Sequence, residues 1–140
     1  MSRISAVSLR PLCVFGLALL AGCSPVSDTP PTAPVEGTVT YQGKPVESGT
    51  VTFFSEGGER PAAGLLGPGG KFTLTTFNKN DGAVLGTHKV TVTSIADTAD
   101  VGTGAPTESL VPEKYNIPDT TPLSYEVKEG GNQFEITLED

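Results

Sequence analysis

Val35-Glu36-Gly37-Thr38-Val39-Thr40-Tyr41 puts Val35, Gly37, Val39 and Tyr41 at every second position, with Glu36, Thr38 and Thr40 between them. Successive side chains of an extended chain point to opposite faces, so this is the pattern of a strand with one face buried and one face wet. The same period recurs outward from this stretch. Val51 and Phe53 are in phase within 50–55, Phe72 and Leu74 within 71–76, and Val90 and Val92 within 88–94. Leu123-Tyr125-Val127 and Phe134-Ile136-Leu138 complete the set, and a weaker seventh strand is expected over 62–66. Between them stand Gln42-Gly43-Lys44-Pro45, Glu56-Gly57-Gly58-Glu59, Gly67-Pro68-Gly69-Gly70 and Glu129-Gly130-Gly131-Asn132, which supply the left-handed or fixed φ that turns need. The expected fold is all-β: a seven- to eight-stranded antiparallel β-sandwich over residues 35–140. Its expected core is Val39, Val51, Phe53, Phe72, Leu74, Val90, Val92, Tyr125, Val127, Phe134, Ile136 and Leu138.

Composition agrees with this reading. In 140 residues there are 18 Thr and 13 Val alongside 17 Gly and 12 Pro, so β-branched and turn residues dominate and long helices are disfavoured. The length suits one domain. Nine basic against 16 acidic residues, with a formal charge of −7 and no Lys or Arg cluster beyond the N-terminus, lack the positive footprint that nucleic-acid binding requires.

Residues 1–22 have the parts of a secretory signal: Arg3 and Arg10, the apolar run from Leu12 to Leu20, and small residues at its end. Pro11 and the Gly22-Cys23-Ser24-Pro25 break leave the run too short for the ~20 apolar residues that cross a bilayer. Leu20-Ala21-Gly22-Cys23 resembles the bacterial lipobox, in which a lipoprotein signal peptidase cuts before an acylated Cys. The resemblance implies lipid attachment at Cys23, with palmitate-type chains, and anchoring of an exported chain in the cell envelope. Two or more acyl chains anchor stably where one does not. Ser24, where Gram-negative sorting retains lipoproteins that carry Asp, implies the outer membrane, on its periplasmic or surface face. Cleavage removes Arg3 and Arg10, taking the charge from −7 to −9, and removes Cys13. No Cys then remains for a disulfide, a metal site or thiol catalysis. Residues 23–34 follow as a tether with four Pro between Ser24 and Pro34, expected to pack no core and serving either as a spacer or as a plain leader.

From residue 35 the chain resembles the carboxypeptidase regulatory-like domains. The resemblance lies in Gly37-Thr38-Val39-Thr40-Tyr41-Gln42-Gly43-Lys44-Pro45-Val46 with Gly49-Thr50-Val51-Thr52-Phe53, then Gly70-Lys71-Phe72-Thr73-Leu74, Asp81-Gly82-Ala83, Gly86 and Lys89-Val90-Thr91-Val92. The tail Leu110-Val111-Pro112-Glu113-Lys114-Tyr115 with Thr121-Pro122-Leu123 is similar to a subgroup of secreted bacterial lipoproteins. The implied fold is a transthyretin-like (prealbumin-like, Ig-like) sandwich, and the implied role is that of an accessory module. The partner is then an envelope protein or a polysaccharide, besides the membrane reached through Cys23. A purely structural envelope lipoprotein is the alternative, and a transthyretin-like hydrolase a third, trailing reading.

The residues argue against catalysis. Transthyretin-like hydrolases use His and Arg residues and a C-terminal Tyr-Arg-Gly-Ser, whereas this chain reads Leu138-Glu139-Asp140 there and keeps only His88 and Arg60 after cleavage. His88, in phase with Val90 and Val92, reads as a strand-start residue and not as a general base. No cofactor is expected. Asn78-Lys79-Asn80-Asp81-Gly82 has Lys79 where a calcium loop needs an oxygen and reads as a turn. Asp97, Asp100 and Glu108 could meet around Ca²⁺, but nothing in the sequence fixes their geometry, so they read as solvated loop charges.

The stretch from Ala96 to Pro122 has no alternation and is too long for an ordinary connection. Its first part, 97–109, has no aromatic anchor and is expected to stay loose. In its second part Leu110, Val111, Tyr115 and Ile117 are expected to bury side chains on the sandwich. Tyr115 either pins this segment or stacks on a ligand, and with Asp97 and Asp100 it makes the candidate recognition set.

Overall fold

The computed structural model describes residues 28–96 and 108–140. Among them are ten strands: β1 (Thr32–Ala33), β2 (Val35–Tyr41), β3 (Lys44–Pro45), β4 (Thr50–Ser55), β5 (Ala62–Leu65), β6 (Lys71–Thr73), β7 (Ala83–Val84), β8 (Gly86–Thr93), β9 (Ser124–Val127) and β10 (Asn132–Leu138). Each of the seven alternating stretches contains one of the longer strands, and the two-residue β1, β3 and β7 are additional. The described residues are all-β with two short 3-10 turns, and no helix among them is long and apolar enough to cross a membrane.

Two four-stranded sheets share one core. In the first, β10 and β6 flank β2 and β3 continues the β2 hairpin; in the second the order is β5-β4-β8-β9. Phe53 on β4 joins the layers, with its ring centroid 6.4 Å from Phe72 of β6 and 5.9 Å from Phe134 of β10. Val39, Val51, Phe53, Phe72, Leu74, Val90, Val92, Val127, Ile136 and Leu138 are buried together, as their period requires. Tyr125 and Phe134 are only partly buried against them, their rings 4.9 Å apart.

Gly37 explains how Phe72 reaches its place. The two residues are paired across β2 and β6, and a Cβ on Gly37 would lie 2.7 Å from Phe72 Cζ and 2.3 Å from the Phe134 carbonyl oxygen. The missing side chain is the space the Phe72 ring occupies.

Three expectations need correction. The sandwich is not wholly antiparallel: β10 runs parallel to β2, with Ile136 opposite Val39 and Leu138 opposite Tyr41. Alternation reports which face is buried but carries no strand direction. Here the turn after β9 crosses from one sheet to the other. Asn132 fixes that crossing, its Oδ1 accepting from the Lys128 N–H (3.0 Å) and its Nδ2 donating to the Lys128 carbonyl (2.8 Å).

The tether is also shorter than its composition implies. Thr32 and Ala33 pair with Val84 and Ala83, and Ala33 is buried in the core. Pro disfavours a central strand but is compatible with an edge one. The close approach is possible because Gly82 (φ +86°) has no Cβ; one would lie 1.7 Å from the Ala33 carbonyl oxygen.

Finally, Val111 and Tyr115 dock on the core, but Leu110 (47 % exposed) and Ile117 (52 % exposed) do not. The segment makes only a short 3-10 turn, Glu113–Tyr115, so its apolar residues do not share one face. It is held to the second sheet by Thr121, whose hydroxyl donates to the Val90 carbonyl at 2.7 Å.

Candidate functional site

β8 leads directly into the stem of the long connection. Ile95 and Ser109 form an antiparallel bridge, the Ala96 N–H donates to the Glu108 carbonyl (2.9 Å), and the Leu110 N–H donates to the Ser94 carbonyl (2.8 Å). Ala96 and Glu108 are therefore held side by side at the edge of the sandwich. Asp97 and Asp100 lie outside the described residues; Glu108, at the stem, is exposed.

Beside this stem lies a recess of about 200 Å³, between Ser94 and Leu110 on one side and the β2–β3 hairpin on the other. The hairpin turn uses Gln42 (φ +50°) and Gly43 (φ +74°), two consecutive left-handed residues of the kind that fits the twist of a tight hairpin. It brings Gln42 and Lys44 to the rim. The Tyr41 hydroxyl donates to the Asp140 carboxylate, which holds that carboxyl below the ordinary Asp range and pushes the Tyr41 phenol up. Gln42 Nε2 donates to the Tyr41 hydroxyl (3.2 Å) and to Asp140 Oδ2 (3.3 Å), so this corner is cross-linked by side chains. Glu47 is oriented by the Gly69 N–H, which donates to its Oε1 at 3.0 Å.

Ser94 lines the recess and is fully buried, and its Oγ has no hydrogen-bond partner among the described residues. A buried hydroxyl without a partner costs about 1–3 kcal/mol. The neighbouring Ser109 does not relieve it, since Ser109 Oγ donates to the Val111 carbonyl at 2.7 Å.

Tyr115 is placed in the core, 3 % exposed, with Lys114 Nζ 5.1 Å from its ring centroid. Of the two readings of this residue, its burial matches the one in which it pins the segment. His88 is fully buried beneath Phe53, their ring centroids 5.9 Å apart. Its Nε2 lies 2.6 Å from the Val84 carbonyl, so Nε2 carries the proton, and Nδ1 faces no partner among the described residues. Asp81 turns both carboxylate oxygens onto backbone: Oδ1 accepts from the Thr76 N–H (2.7 Å), and Oδ2 from those of Phe77 (2.9 Å) and Asn78 (2.8 Å). Partial burial acts to raise its carboxyl, but the three donors together hold it below the ordinary Asp value. The stretch 78–82 is thus a turn organised by Asp81. Among the described residues no three His, Cys, Asp or Glu side chains converge.

Ser94, Gln42 and Lys44 were not singled out by sequence reasoning as site residues. Ser94 did carry a signal: it follows Val90 and Val92 at period two, a polar residue on the inward face. Gln42 and Lys44 looked only like turn residues.

The described part is thus an all-β, two-layer chain with a recess at one end, next to a long connection. No protein-family model matches it, and no curated protein matches it. Among solved structures it is similar to a DUF3823 family protein from Parabacteroides merdae ATCC 43184, with 14 % sequence identity and a TM-score of 0.45, over 79 % of this chain and 47 % of that chain. The chain spans about half the length of that protein.

Proposed function

We propose that this is an exported bacterial lipoprotein, held in the cell envelope by acyl groups on Cys23, that carries a non-catalytic sandwich module of the carboxypeptidase regulatory-like (transthyretin-like) type for binding a protein or a polysaccharide. The observation that carries the reading is the spacing between the lipobox and the first packed residue. Cys23 ends Leu20-Ala21-Gly22-Cys23, and strand pairing begins at Thr32. The Pro31 carbonyl already accepts from the Leu85 N–H (3.2 Å), so at most residues 24–30 separate Cys23 from the domain, spanning up to about 22 Å if extended at ~3.1 Å per residue. That length clears the head groups and keeps the module near the membrane. The destination consistent with Ser24 is the outer membrane.

The burial of His88 supports the non-catalytic part. A general base must reach the proton it abstracts, and this imidazole is sealed under Phe53 with one nitrogen committed to the Val84 carbonyl. Beside the stem is a recess that combines hydroxyl, amide and charged groups with the apolar surface of Tyr41, Pro45, Val46 and Leu110, which suits recognition. Cell fractionation of the full chain and its Cys23→Ala variant tests the reading. The parent should be processed and partition with membranes, and the variant should either keep its signal or be released; a variant that is processed and still partitions like the parent would rule out the anchor.

A further inference from the structure

We propose that the recess beside Ser94 is a saccharide subsite that takes one uncharged sugar ring of a polysaccharide. This deepens the binding role proposed above and rests on it. About 200 Å³ is room for a single ring and too little for a length of peptide backbone with its side chains.

The lining specifies the chemistry. Lys44 offers donors, Glu47 offers its second carboxylate oxygen as an acceptor, the Gln42 amide offers both, and the Ser48 and Ser94 hydroxyls each do both. Lys44 and Glu47 carry opposite charges, and the Asp140 carboxylate beside them is already engaged by Tyr41 and Gln42, so the recess, like the −7 of the whole chain, disfavours an anionic ligand. Leu110, Val46, Pro45 and Tyr41 supply the apolar surface that a C–H face of a ring would cover. A ligand matching donors and acceptors set around such an apolar surface carries several hydroxyls on a compact carbon frame.

Ser94 is the residue that turns the recess into a site. Its hydroxyl is buried and unpartnered, an arrangement with a cost that a bound group able to donate or accept would remove. The half-exposed Leu110 stands on the rim, and the hydroxyl is enclosed, so a ligand engages it only by moving neighbouring side chains.

Calorimetric titration of the full chain in detergent with maltotriose, with an N-acetylglucosamine trimer and with tri-alanine tests this, alongside thermal melting of Ser94→Ala. The expected result is binding of at least one of the two saccharides, no binding of tri-alanine, and a loss of about tenfold in affinity for Ser94→Ala, the effect of one hydrogen bond to a buried hydroxyl. Ser94→Ala should also melt no lower than the parent, since it removes an unpaired polar group. Absence of heat with both saccharides, undiminished affinity in Ser94→Ala, a lower melting temperature of that variant, or equal binding of tri-alanine would overturn the subsite. Anchoring is read separately by fractionation, so an anchored chain that binds no saccharide removes this inference and leaves the envelope assignment standing.

Discussion

The Tyr115 hydroxyl engages both backbone groups of Glu139, donating to the carbonyl at 3.0 Å and accepting from the N–H at 2.9 Å. Glu139 follows directly after β10, so one side chain satisfies there what a neighbouring strand would otherwise satisfy. The ring beneath that hydroxyl is buried among the core residues, and the docked segment and the end of the last strand are held by the same residue.

Two substitutions separate these contributions. Tyr115→Phe keeps the ring and should cost about 1 kcal/mol, the net worth of an ordinary hydrogen bond. Tyr115→Ala should cost about 3–5 kcal/mol, as expected for an emptied aromatic site. Urea denaturation measures both; a Tyr115→Phe loss as large as that of Tyr115→Ala would mean that the ring contributes nothing.

Gly37 and Phe72 should be coupled. Gly37→Ala is expected to destabilise by about 1–3 kcal/mol through overpacking, and Phe72→Ala by about 3–5 kcal/mol. In Gly37→Ala/Phe72→Ala the clash with the ring is gone but the 2.3 Å approach to the Phe134 carbonyl remains. The double variant should therefore lose less than the two single losses together, yet more than Phe72→Ala alone. Strict additivity would show that the ring does not occupy the space above Gly37.

Asp81 predicts a pH dependence with a definite sign. Its folded carboxyl lies below the ordinary Asp value, so its contribution is fully present above the unfolded value of about 3.9 and is lost as pH falls through the folded one. Asp81→Asn should cost about 1–2 kcal/mol at pH 7, discounted for its partial exposure, and progressively less below about pH 4. Denaturation at pH 7 and pH 3 checks this. A cost that grows on acidification would contradict the network of Thr76, Phe77 and Asn78 donors.

The stem predicts tolerance of a large deletion. Because Ala96 and Glu108 are hydrogen-bonded across an antiparallel pair, replacing residues 97–107 by Asn-Gly closes the connection as a two-residue hairpin. Such a variant should fold and keep its stability to within about 0.5 kcal/mol, as surface changes usually do. Failure to fold would mean that the removed residues contribute to the core.

Period-two reading found the inward face of each main strand, because a one-residue slip would have exposed the whole set Val51, Phe53, Val90, Val92. It could not find the partner of Ile136, since parallel and antiparallel strands can share one burial pattern. Ala33 was hidden for another reason: it is buried by a contact with the distant Gly82, which leaves no local pattern. Burial of Tyr115 was legible, but its hydroxyl's partner at the end of β10 was not. The recess was the least legible part, being assembled from a turn, a strand end and the far side of the stem. Only the inward phase of Ser94 pointed to it.

Attachment through Cys23 is the central claim, and the mass of the mature N-terminal peptide tests it most directly. Chain purified from membranes of a lipoprotein-processing bacterium should begin at Cys23, with the mass of a diacylglyceryl group, alone or with a third acyl chain, on that residue. A mature chain that begins elsewhere, with Cys23 internal and unmodified, would contradict the account.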